Sequence, residues 1–338
     1  MNLLTVRMVT MVKIRKFSQL ARLVYVLWTL ASFALHVYLD SRRRETRDRE
    51  KRGIQTTVSP TMTSQFPYGL MAKGQITMSG DTVNDSYRSS LGTYMSQRTN
   101  YDPIRGEYYA NNNGNIGSNG SISMSGSVIN YGSANPGSSG TISMSGGPYV
   151  SGTTTNLATP IAFPNPPAYS PPIASSGDFQ PASNTTLAAG TYRFNKITLS
   201  SATLTFSGDV TIYVDGDVSV SGTAKFSLPV GSKVRIIQGS GSFNLSGGGL
   251  VNTSQVPSNF SLTSSGGNVN FSGDAAFYGT VYAPNAVFSA SGNTHYYGAF
   301  AASSMNISGG ANFHRDEDAG LTAVPGSYRI RSWIEYIP

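Results

Sequence analysis

The chain has 338 residues, 37 of them Gly, and no Cys, which excludes a disulfide scaffold, thiolate metal sites and thiol catalysis. Its net charge of +7 belongs to the first 52 residues, where 12 Lys/Arg stand against 4 Asp/Glu. Residues 53–338 hold 12 against 13, so the body has no field for gripping a polyanion, and nucleic acid is excluded as its partner.

Residues 1–19 read as a basic tail. Leu20 to Leu39 (LARLVYVLWTLASFALHVYL) is apolar apart from Arg22 and His36. As a helix it spans about 30 Å, the thickness of a hydrocarbon core, with Arg22 near one end able to snorkel. The run is longer than a signal-peptide core and no small-x-small cleavage site follows it. The expectation is one retained transmembrane helix over 20–39, with the lipid bilayer as partner. Residues 40–64 form a charged, then polar, linker whose Arg-rich start suits anionic headgroups. Four Lys/Arg precede the span and seven follow it, which taken alone favours a cytoplasmic body. The sparse charge and Ser/Thr/Asn-rich surface of the body favour export, and an extracytoplasmic body is the reading adopted.

From residue 65 a five-residue unit recurs: apolar, Ser/Thr/Asn, apolar, Ser, Gly. Its copies begin at Ile76, Ile122, Ile142, Leu204, Val218, Phe243, Val269, Phe288 and Met305. Residues i and i+2 of a strand share a face, and the Gly stands where the chain must turn with positive φ. Each unit is one short strand with its corner, and such a strand must stack on its own copies to pair its backbone. The glycine intervals of 19 (273 to 292) and 17 (292 to 309) suit one coil of two or three strands rather than a propeller blade. A second alternation aligns 276–283 with 295–302 and puts Phe277, Tyr296 and Phe313 in one interior column, with His314 under Tyr297.

The predicted organisation is a first β-repeat region over 65–150, a Pro-rich extended crossing over 151–181, a main β-solenoid over 182–318 and a C-terminal strand or cap over 319–338. The predicted fold class is mainly β: a parallel β-helix (solenoid) preceded by one N-terminal transmembrane α-helix.

The segments Phe66-Pro-Tyr-Gly-Leu-Met-Ala-Lys-Gly-Gln-Ile-Thr-Met-Ser-Gly80, Asp85-Ser-Tyr-Arg-Ser-Ser-Leu-Gly92 and Asn115-Ile-Gly-Ser-Asn-Gly120 resemble the exported region of PilX-like bacterial pilus-assembly proteins. So do Gly279-Thr-Val-Tyr-Ala-Pro-Asn-Ala286 and Phe313-His-Arg-Asp-Glu317. The resemblance spans roughly residues 65–318. It implies a right-handed parallel β-helix, a surface location and a pilus-associated or adhesive role, with no catalytic residues to carry over. The chain departs from pilins in having no cleavage site with a Glu near the start of the apolar run.

Candidate chemistry is sparse. Asp209, Asp215 and Asp217 could form a carboxylate pair or a weak Ca²⁺ loop, but Asp-Gly is common turn chemistry and the turn reading is preferred. His314, Asp316, Glu317 and Asp318 are the densest polar cluster. They read either as oxygen and imidazole metal ligands or, preferably, as a polar cap closing the end of the solenoid. His295 is expected on an outward column. The sequons at Asn84, Asn119, Asn184, Asn244, Asn252, Asn259, Asn270 and Asn306 follow from composition. No catalytic, cofactor-binding or metal residues are assigned and no cofactor is expected. The functional expectation is a membrane-anchored, non-enzymatic structural or adhesive surface protein whose partners are pilus or other surface proteins, or glycans. The alternatives are a carbohydrate-active β-helix enzyme and a glycan- or ice-binding solenoid.

Overall fold

The computed structural model of the chain describes residues 35–40, 53–166 and 168–336. The basic tail, positions 20–34 of the expected membrane span and the charged run 41–52 lie outside them. Among the described residues no helix is long and apolar enough to cross a membrane. Positions 35–39 differ from the expected helix: Leu35–Asp40 is a strand, antiparallel to Gly53–Ser64 from Leu35↔Val58 to Asp40↔Gly53. Its sequence, LHVYLD, alternates with period two, and strand pairing is the structure that uses that period. Gly53–Ser64 also neighbours the long C-terminal strand Leu321–Tyr336 in a three-stranded sheet.

Residues 64–322 form the second compact unit. It is mainly β, built on one large sheet of 22 strands whose registers are parallel, consistent with a solenoid. Eight of the nine repeat units lie in one column on one face. Ile197 pairs with Val218, then Phe243, Val269, Phe288 and Met305. Met305 pairs with Ile76, and the column ends through Ile122 at Ile142. The Leu204 unit lies on another face, in the long strand Thr203–Val214 beside Thr185–Phe194 and Lys225–Leu228. A further column runs Ile212, Ile236, Leu262, Val281, Phe300, Leu70, Ile116, Ala134, all buried.

The order of these columns is not the order of the chain. The coil carrying 70–87 sits against the coil carrying 295–316, so the chain enters its stack in the middle. It winds outward to Val150, crosses to the far end, and winds back from Thr185 until it meets its own start. The regions 65–150 and 182–318 therefore share one continuous sheet.

The units keep their predicted polarity. Both apolar residues are buried in the units at 76, 122, 204, 218, 243, 269, 288 and 305, while the residue between them is half-buried or exposed. The unit at Ile142 differs: Met144 is 46 % exposed, because Ile142–Gly146 pairs only with Ile122–Gly126 and no coil lies beyond it. All nine repeat glycines have positive φ. Eight of them stack in the order 222, 247, 273, 292, 309, 80, 126, 146. From Gly247 onward, a Cβ on each would meet the backbone of the glycine before it in that order.

The crossing runs down the outside of the stack. Leu157 N–H donates to Pro136 O, and Ile161 exchanges two hydrogen bonds with the Asn119 side chain. Phe163 packs on Phe66, Met71, Tyr282, Ala299 and Ala301, and the Tyr282 hydroxyl donates to Pro164 O. Tyr169 reaches Asp215, and Phe179 bridges to Ile197, its ring 4.5 Å from that of Phe194, on the coil at the far end.

Candidate functional site

The densest polar chemistry lies where the two ends of the winding meet. In register, Tyr278 is followed by Tyr297, then His314, then Asp85. Parallel stacking lays these side chains on one another: the Tyr278 and Tyr297 rings are 4.2 Å apart and nearly parallel, and the Tyr297 and His314 rings are 4.7 Å apart. The neighbouring interior column changes character at the same place. Phe277, Tyr296 and Phe313 stack there as the sequence predicts, and all three are buried. The next positions are Asn84 and Asn130, also fully buried and hydrogen-bonded to each other. Asn84 is thus a core residue and no glycosylation acceptor; Asn252 is buried likewise.

Asp85 is wholly buried and fully engaged. Its Oδ2 accepts from the Tyr94 hydroxyl at 2.9 Å and from Ala110 N–H at 2.8 Å, and its Oδ1 meets His314 Nδ1 at 2.5 Å. Two donors on one oxygen make Asp85 an acceptor, so His314 Nδ1 carries the proton. In the neutral ring this leaves His314 Nε2 an acceptor for His295 Nδ1, 2.8 Å away. His295 then keeps a free acceptor at Nε2. With His314 neutral, the order of donors along Tyr94, Asp85, His314 and His295 follows from the hydrogen-bond inventory. Burial, then the His314 ring, then Arg98 push the His295 pKa down to about 4, so the ring is neutral near pH 7.

Tyr94 belongs to a 28-residue excursion between Tyr87 and Ile116 that also carries the hairpin Asn100–Asp102/Glu107–Tyr109. The helix Tyr94–Gln97 starts at Thr93, whose side chain accepts from Ser96 N–H. The excursion leans over the two histidines and borders an open cavity of about 130 Å³. Asp81, Asn293 and Asn312 line it from the coils, and Arg98, Glu107 and Tyr108 from the excursion. The Arg98 guanidinium lies 5.9 Å from the centre of the Tyr108 ring and 3.8 Å from Glu107.

The acids at 316–318 have a different task from either sequence-based reading. They do not close an end of the stack, since Asn312–Asp316 is followed by Val83–Tyr87. They fasten the excursion. Asp316 accepts from Ser89 and Asp318 N–H, and Asp318 accepts from Ser90 N–H and Oγ. Glu317 accepts from Ser86, Arg88, Asn111 and Asn113. Burial raises the Asp316 pKa.

Of the other predicted acids, Asp217 accepts from Ser242 N–H, as a turn residue does. Asp215 does more: Arg193 grips it with two hydrogen bonds, 3.0 and 3.2 Å, and Tyr169 of the crossing donates to it at 2.6 Å. Arg193, then Tyr169, hold its carboxyl below the usual range against the opposing effect of burial. Among the described residues no group of three or more His, Asp or Glu has the geometry to hold a metal ion. Asp85 and Tyr94 were missed as site residues because they stand far from His314 in the chain and join it only through the stacking order.

The family described as a domain of unknown function (DUF7305) matches residues 171–320. Among solved structures the chain is similar to the competence-associated pilin ComZ from Thermus thermophilus, with 10% sequence identity and a TM-score of 0.32. That alignment covers 89% of this chain and 84% of the pilin. No curated protein matches the chain.

Proposed function

We propose that the chain is a membrane-anchored, non-enzymatic surface protein whose body is a parallel β-helix with an adhesive or structural role, associated with a pilus. The observation that carries this reading is the column from Ile197 to Ile142, which passes unbroken from the last coil into the first. It supports a body that is one long stack with a largely apolar interior and Ser/Thr/Asn columns outside, a shape that displays surface. Its acids serve the fold: Asp215 secures the crossing, and Asp316, Glu317 and Asp318 secure the excursion. The apolar segment from Leu20 supports single-pass attachment to the bilayer with the body outside the cytoplasm. The resemblance of the 66–80, 85–92 and 313–317 motifs to PilX-like proteins supports the pilus association.

Protease shaving of intact cells tests location, and a reporter fused after Pro338 tests orientation. Loss of the body to external protease and periplasmic phosphatase activity are the expected results. A body protected in intact cells and cytoplasmic fluorescence would overturn the reading. One observation favours a carbohydrate-active enzyme instead: the Asp85–His314–His295 chain ends at an open cavity. Release of reducing or unsaturated sugar ends by the purified chain, lost in His295→Gln, would establish that second reading.

A further inference from the structure

The cavity over His295 and His314 combines three features that point to one class of ligand. Its polar lining is mixed: the planar amides of Asn293 and Asn312, the carboxylates of Asp81 and Glu107, and the Arg98 guanidinium. Arg98 lies beside Glu107, so the lining offers neither a cationic cradle for an anion nor an uncompensated acidic cage. Amide and carboxylate ends of this kind suit adjacent hydroxyls, each of which is both donor and acceptor. Asn312 uses Oδ1 to accept from Val83 N–H, which leaves its NH₂ free to donate. His295, held as an acceptor at Nε2 by the Asp85–His314 chain, complements it.

The second feature is aromatic. Tyr94 lines the floor, and Tyr108, 49 % exposed, stands on the rim. Tyr101 lies beside Tyr108 at 4.7 Å and is also exposed. The two exposed rings offer a flat face against which the apolar side of a ligand can lie. The third feature is size. At about 130 Å³ the cavity is well below the roughly 300–1,000 Å³ of sites that enclose a drug-sized ligand. It takes one ring or one chain end, with the rest of the ligand outside.

We infer that this cavity binds the terminal neutral pyranose of a glycan, its hydroxyls on Asn293, Asn312, Asp81 and His295 and its C–H face on Tyr108. The proposal deepens the adhesive reading and rests on the body being exposed at the surface. The histidine chain acts here as a rigid, oriented acceptor rather than as a proton shuttle.

The test is saturation-transfer-difference NMR on the full chain in mild detergent, with glucose, galactose, mannose, N-acetylglucosamine and N-acetylgalactosamine as separate probes. At least one probe should give a signal that falls at least fivefold in both Tyr108→Ala and Asn293→Ala. Both side chains are solvent-accessible, so the variants keep the fold, and Val251→Ala on a remote coil should leave the signal unchanged. No signal from any probe, or a signal that persists in both variants, overturns the proposal and leaves the protease-shaving result untouched. Binding accompanied by release of sugar ends from oligosaccharides supports the pocket while overturning the non-enzymatic reading.

Discussion

Met305 lies beside Ile76 in parallel register, both side chains fully buried, so the last full coil of the chain seats on its first. Neither half has a complete core at that face without the other. A stacked strand gains its backbone partners and its apolar contacts from its neighbours alone, so the joint couples the two halves into one folding unit.

Met305→Asp should therefore disrupt both halves. It buries a charge with no partner, which costs several kcal/mol or forces the site open. Urea unfolding followed by tryptophan-independent probes, such as hydrogen exchange at Ile122 and Ile236, should show both halves losing protection together. Retained protection at Ile236 with loss at Ile122 alone would mean that 182–318 folds without its partner.

The glycine corner column makes a graded prediction. Gly247 has φ +68, and a Cβ there would collide with the backbone oxygen of Gly222. Gly247→Ala should cost more than the roughly 1–2 kcal/mol of a left-handed residue, because the coil must also shift. Gly266 meets nothing within 4 Å, and Gly266→Ala should stay within about 0.5 kcal/mol of wild type. Equal effects in a denaturant titration would remove the corner column as a determinant of stacking.

The sequence made the strands, their inward residues and the Phe277–Tyr296–Phe313 column legible, because period-two alternation followed by Gly has one physical solution. It did not reveal the joint. Ile76-Thr-Met-Ser-Gly80 and Met305-Asn-Ile-Ser-Gly309 share a grammar with every other copy, and grammar assigns a residue to a face without assigning a coil to its neighbour. Everything that depends on stacking order was hidden for the same reason: Asp85 under His314, Asn84 in the interior, and the acids at 316–318 as fasteners rather than a cap. The role of Asp215 was hidden because Tyr169 reaches it along the Pro-rich crossing, which has no periodicity to read.

The Tyr169–Asp215–Arg193 clamp predicts how the crossing is held. Asp215 has a folded pKa below its unfolded value, so its contribution is present above about pH 4 and is lost as pH falls through the folded value. Asp215→Asn removes the ion pair at every pH. Limited proteolysis at pH 7 should then cut within 164–175 faster than in wild type, while 210–238 stays resistant. Unchanged cleavage would show that the remaining contacts of the crossing, Phe163 and Phe179 among them, hold it without the clamp.

His295 supplies a pH signature of the site. Its folded pKa, about 4, is below the unfolded value of about 6.5. Between those values the unfolded chain takes up a proton at this position that the folded chain does not. Stability is therefore complete above about pH 6.5 and falls as pH drops toward 4. Burial is the main cause, followed by the His314 ring and then Arg98, with Asp85 opposing. Asp81 and Glu107 also face the ring across the cavity. His295→Gln leaves all of these in place and removes only the titrating imidazole. The difference in unfolding free energy between wild type and variant, measured in urea from pH 7.5 to 4, should be constant above pH 6.5 and shift in favour of the variant below it. A difference that stays flat down to pH 4 would mean that His295 protonates as readily in the folded chain as in the unfolded one.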